Sequence, residues 1–178
     1  MATHQIRQFG DPVLKTRAAD VTEVDGRLVR LVEDMIDTMY EARGAGLAAP
    51  QVGVQKRLFV YDLHDDLGPR TLLNPTIAES NGEWTFEEGC LSVPGLFFPI
   101  TRPKTIHLVG LDLDGNEVSI EADEFEARVY QHEIDHLDGR LLLELLEPDQ
   151  RKEAMRILRT RALAQPDADA AGARAGQL

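Results

Sequence analysis

The sequence contains a single cysteine, Cys90, so no disulfide can close within the chain and nothing in it argues for an oxidising compartment. Although 43% of the residues are hydrophobic, no apolar run approaches the roughly 20 residues of a membrane-spanning helix. Residues 1–5 carry neither the basic nor the apolar region of a secretory signal, which predicts a cytoplasmic location away from membranes. Basic residues are in the minority. With 19 Lys and Arg against 31 Asp and Glu, the net charge is −12, which opposes general binding to nucleic-acid phosphates. No internal repeat or linker interrupts the 178 residues, a length suited to one domain with a sizeable core. The last stretch, 165–178, is mostly Ala, Asp, Gly and Pro and has almost nothing to bury, so the folded domain is expected over 1–164 with a disordered tail behind it.

Within that domain the patterning is mixed. Asp11-Pro12 predicts an N-capped helical turn. Leu28, Leu31, Val32, Met35, Ile36, Met39 and Tyr40 recur at helical spacing, and Gly44 is placed to end that helix. Strands are expected near 57–61, 71–79 and 83–86, with a polar loop at 64–69. Prolines 94, 99 and 103 predict an irregular segment. Asp114-Gly115, between apolar runs at 104–113 and 117–122, signals a hairpin. Helices follow at about 123–137, stopped by Gly139, and at about 148–164. The fold class this predicts is α+β, with antiparallel strands packed around a central helix.

That central helix carries Gln131-His132-Glu133-Ile134-Asp135-His136. Histidines at i and i+4 share one face, so both imidazoles can grip one metal while Glu133 handles the proton of an activated water. Three protein ligands plus water make a hydrolytic site, so a third ligand is needed. Downstream candidates lack support: Leu142 fills the third-histidine slot of the HExxHxxGxxH pattern, and Glu144, Glu147 and Glu153 stand in no motif. His4, His64 and His107 also lack one, the first two reading as surface and the third as a strand residue. Upstream lies Glu88-Gly89-Cys90-Leu91-Ser92, and before it Gly44-Ala45-Gly46-Leu47-Ala48-Ala49-Pro50-Gln51. The glycine box is no phosphate loop, because the lysine and Ser/Thr of that motif are missing. Taken alone it reads equally as a plain loop, and Cys90 alone as a buried structural thiol.

These three boxes, in this order and spacing, resemble the peptide deformylases, and the resemblance runs from about residue 6 to about 161. It implies that Cys90, His132 and His136 bind one divalent metal, ferrous iron as the first expectation, with zinc, nickel or cobalt as substitutes. It implies hydrolysis of the N-formyl group from the methionine of nascent polypeptides, with Glu133 as general base. Gln51 and the Leu91 N–H would hold the oxyanion. Backbone around Ala45, Gly46 and Gly89 would pair with the peptide. Phe125, Val129 and the stem of Arg128 would line the methionine pocket, although core packing explains the same residues. Glu88 and Arg102 would form a supporting ion pair. Two competing readings are an endopeptidase, which leaves the cysteine box unexplained, and a silent binding relative, which has no use for an intact general base. The segment 151–161 carries five positive charges and one negative, leaving −16 for the rest of the chain. Ribosome docking and a solvated helix face are both open readings of it.

Overall fold

A computed structural model describes residues 3–164; the expected tail at 165–178 lies outside the described residues. The chain divides into two compact units, one ending at Leu142 and the other beginning at Leu143. The first unit contains all three chemical boxes.

Helix α1 (Gly26–Glu41) starts where the Asp25 side chain accepts hydrogen bonds from the Arg27 and Leu28 N–H groups. Its buried stripe is Leu28, Val32, Met35 and Met39, the spacing of one helical face. The helix ends before Gly44. Arg43 N–H donates to Tyr40 O (3.0 Å) and Gly44 N–H to Met39 O (2.9 Å), a Schellman closure with Arg43 at φ 57.

Strands β1 (Gly46–Ala48), β2 (Leu58–Tyr61), β3 (Arg70–Asn81), β6 (Thr105–Leu111) and β7 (Glu117–Asp123) form an antiparallel sheet in the order β1-β2-β3-β6-β7. β2 is buried along its whole length because both faces are covered. Leu58 and Val60 join the α1 stripe in one core, while Phe59 and Tyr61 join Tyr130, Ile134 and Leu137 of helix α2 (Glu124–Leu137) in the other. Tyr61 and Tyr130 meet edge to face at 4.9 Å between ring centroids. The α2 helix thus backs onto a rigid sheet, and its boundaries match the expected 123–137. Gly139 follows it at φ +73, where an added Cβ would lie 2.9 Å from the Lys15 carbonyl, so both backbone angle and space require glycine.

β4 (Trp84–Cys90) and β5 (Val93–Arg102) form a separate two-stranded ribbon. This corrects the irregular segment expected from the prolines at 94 and 99. In a two-stranded ribbon each strand keeps one open edge, where a residue without an N–H leaves no ladder bond unmade. The predicted hairpin is present between β6 and β7, with Gly115 at φ +81. Helix α3 (Pro148–Ala164) belongs to the second unit.

Candidate metal centre

Five polar side chains of α2 are buried: Arg128, Gln131, Glu133, Asp135 and His136. Burial of such groups is costly unless each finds a partner. Gln131 donates to Pro103 O at 3.0 Å. Asp135 accepts from Arg102 at 2.8 Å and pairs with Arg140 at 3.1 Å. Arg128 donates to Glu88, to Ile100 O (3.0 Å) and to Trp84 O (2.5 Å), its guanidinium stacked 4.7 Å from the Trp84 ring centroid. The His136 Nε2 lies 3.3 Å from the Cys90 Sγ. Three of their polar atoms, Arg128 Nε, His136 Nδ1 and Glu133 Oε2, make no hydrogen bond to the described residues. Glu133 is 4% exposed, and the Ala48 backbone serves its carboxyl.

The third candidate ligand reaches the helix from the ribbon. Cys90 ends β4 and pairs with Val93 across a two-residue turn of Leu91 and Ser92, so the thiol sits at the hairpin tip. The Cys90 sulfur and one ring nitrogen from each of His132 and His136 all lie within 4.8 Å of one another. The His132 Nδ1 is 3.0 Å from the Glu88 Oε2, which turns its Nε2 the other way. Glu88 is itself held by Arg102 through two hydrogen bonds, Nε to Oε1 (2.6 Å) and Nη2 to Oε2 (3.0 Å). The ion pair expected behind the cysteine loop is therefore present, and it extends through Asp135 to Arg140.

The charges follow from these contacts. Burial alone raises the Glu88 pKa, but hydrogen bonds from His132 and Arg102 outweigh it and bring the carboxyl down to about 2. For His132 burial opposes protonation, yet Cys90 and Glu88 hold the ring well above its ordinary value. For His136 burial comes first and the positive charge of His132 second, and both lower it. Burial dominates at Glu133 and lifts its carboxyl to about 7, within reach of proton exchange at neutral pH. One thiol and two imidazoles of opposed proton affinity, beside a buried carboxyl, fit a divalent cation of borderline softness.

A cleft of about 420 Å³ opens onto this cluster. Cys90, His132 and Glu133 line it together with Ala45, Gly46 and Gln51 of the glycine box. Gly89, over which Phe97 lies, Leu91, Phe125, Arg128 and Val129 line it as well. Phe125 is 45% exposed and so belongs to the cleft, whereas Val129 both lines it and joins the core. β1 is the edge strand of its sheet, and the Ala45 carbonyl is already taken by the Asp62 N–H at 3.0 Å. Alternation along an antiparallel strand then turns the N–H and C=O of Gly46 to the open edge.

The sequence pattern of the family described as polypeptide deformylase matches residues 3–152. The chain belongs to this family. It is 48% identical over 159 residues to the peptide deformylase of Acidothermus cellulolyticus, covering 89% of this chain and 87% of that one. The crystal structure of a peptide deformylase from Legionella pneumophila superposes with a TM-score of 0.87 at 41% identity, covering 93% of this chain and 99% of the other. The Ehrlichia chaffeensis enzyme in complex with actinonin gives 0.85 at 38% identity, over 90% and 98% of the two chains.

Three features of this deformylase escape a reading of its sequence. The Glu88 carboxylate reaches the His132 ring, Asp135 shares Arg102 with Glu88, and Trp84 and Phe86 stack 4.9 Å apart beside Arg128. Gly46 has a sharper requirement. A Cβ there would lie 2.5 Å from the Glu133 Oε1 and 2.9 Å from its Cδ. Gly46→Ala is expected to push the carboxylate aside and lower kcat about 10²-fold, the usual scale for misplacing a reacting group by about 1 Å. Steady-state kinetics alongside metal analysis checks this: a fall in kcat at unchanged metal content is the expected result.

Proposed function

We propose that this deformylase hydrolyses the N-formyl group of the starting methionine of nascent polypeptides in the cytoplasm, and that its resident ion, held by Cys90, His132 and His136, is ferrous iron. The observation that carries the reading is the Cys/His/His cluster in one cleft with the buried Glu133 carboxyl, one of whose oxygens makes no hydrogen bond to the described residues. The iron assignment rests on family resemblance; zinc, nickel and cobalt suit the same donors. When bound, the ion supplies a Lewis acid that polarises the formyl carbonyl and brings the pKa of water towards neutrality.

The chain's own residues do the rest. Glu133 accepts the proton of the attacking water and returns it to the departing amine, with formate as the other product. The Gln51 Nε2 and the Leu91 N–H donate to the oxygen that becomes negative as the carbonyl is attacked. The peptide adds as a strand on the open edge of β1 at Gly46, with Gly89 opposite. That mode reads backbone and tolerates many downstream sequences. The methionine side chain enters the end of the cleft between Phe125, Val129 and the aliphatic stem of Arg128, whose charged head is engaged by Glu88. The test is formate release from formyl-Met-Ala-Ser set against amine release from Met-Ala-Ser. Formate from the first and nothing from the second is expected. Cleavage of the unformylated peptide makes the protein a peptidase, and inertness to both makes it a binding protein.

A second site of action concerns α3. Arg151, Lys152, Arg156, Arg159 and Arg161 are all exposed, although Arg156 pairs with Glu153 at 2.6 Å. This exposure favours a basic handle that docks near emerging chains on the ribosome. Replacing Arg156, Arg159 and Arg161 with glutamine is expected to weaken salt-dependent co-sedimentation with ribosomes and leave turnover of small peptides unchanged. A wild-type protein that fails to sediment at low salt makes α3 a solvated face only.

A further inference from the structure

We propose that Ser92 is a positioning residue for the reaction: its hydroxyl captures one proton of the Gln51 side-chain amide so that the other is aimed into the metal centre. The inference rests on the reading of Gln51 as a donor to the developing oxyanion.

Gln51 and Ser92 are 1% and 0% exposed, and every polar contact between them matters. The Gln51 Oε1 accepts from the Ala48 N–H at 2.9 Å. Its Nε2 lies 3.2 Å from the Ser92 Oγ and 4.0 Å from the Cys90 Sγ. A terminal amide torsion is broad and nearly two-fold, so a glutamine with one anchor is poorly aimed. A donor on one side and an acceptor on the other select a single orientation. With one Nε2 proton on Ser92, the second points towards the Cys90 sulfur, the side on which the formyl oxygen gains charge.

The backbone holds the pair at a fixed separation. Residues 7–9 bridge both boxes from behind: the Arg7 N–H donates to Gln51 O at 2.7 Å and the Phe9 N–H to Ser92 O at 2.8 Å. Ser92 is also the second residue of the turn that presents Cys90. The serine that closes the cysteine box therefore ties that box to the glutamine of the glycine box. Without its hydroxyl, one Nε2 proton is left buried without an acceptor, and the amide turns to find another. A donor misaligned in the ground state is not preorganised for the transition state.

The experiment compares wild type, Ser92→Ala, Gln51→Ala and the double variant, each with metal content measured. Ser92→Ala is expected to lower kcat about tenfold with KM within about twofold, because alignment is used only in the transition state. Gln51→Ala is expected to lower kcat by about 10²–10³. If Ser92 acts through Gln51, the double variant is no slower than Gln51→Ala alone. A second readout is independent of turnover. In zinc-loaded, ¹⁵N-labelled protein the Gln51 side-chain amide, identified by its loss in Gln51→Ala, should exchange its protons at least about tenfold faster in Ser92→Ala. A Ser92→Ala slowdown that is the same in both backgrounds, or an unchanged exchange rate, overturns the inference. An unimpaired Gln51→Ala instead overturns the oxyanion reading, and the exchange experiment still decides whether Ser92 holds the amide.

Discussion

Glu133→Ala is expected to lose about 10²–10⁴-fold in kcat while the protein keeps one metal ion per chain. Glu133 carries protons and is not among the three donor atoms drawn together at the cluster, so its removal leaves the ligand set whole. Stability should move the other way. The wild-type carboxyl is buried, and one of its oxygens makes no hydrogen bond to the described residues, a costly arrangement retained for chemistry. Exchanging it for a methyl group should therefore leave the melting temperature unchanged or raise it. Rate, metal stoichiometry and melting curve, measured on one preparation, separate the possibilities. Loss of the metal assigns Glu133 as a ligand. Retention of most of the rate removes it from the mechanism.

The second large effect is on stability and on the metal together. Arg102→Leu removes the one cation that Glu88 and Asp135 share. All three groups are buried, and breaking such a network leaves charge uncompensated at a cost of about 3–5 kcal/mol. In a chain of this size that lowers the melting temperature by on the order of 10 °C. Glu88 keeps Arg128 and His132 but loses its bidentate partner, so the orientation of the His132 ring slackens. Metal affinity should fall about 10–100-fold. A variant that melts like the wild type and binds zinc equally well contradicts both parts.

How much of this was legible beforehand differs from one element to the next. The α1 stripe was plain, since Leu28, Val32, Met35 and Met39 sit at helical spacing and that period is a local property. The i, i+4 histidines were equally plain for the same reason. The strand at 93–102 was not, because proline is read as a breaker and only the ribbon's open edges make it tolerable there. Arg43 in the left-handed region was also hidden, glycine being the residue that usually marks a helix closure. The Glu88–Arg102 pair was expected from resemblance, but the third member, Asp135, lies 33 residues further on, and no spacing rule connects them. Phe125 was ambiguous between pocket and core for a different reason. Its position on α2 is compatible with either, and only its exposure to the cleft decides.

Cys90, His132 and His136 are proposed to hold a single metal through one sulfur and two imidazole nitrogens. X-ray absorption at the metal edge of anaerobically purified protein tests it most directly. The zinc-loaded form is expected to show one sulfur neighbour at about 2.3 Å and two imidazole nitrogens at about 2.0–2.1 Å, with the sulfur lost in Cys90→Ser. A first shell of nitrogen and oxygen alone in the wild type, or a sulfur that survives Cys90→Ser, contradicts it.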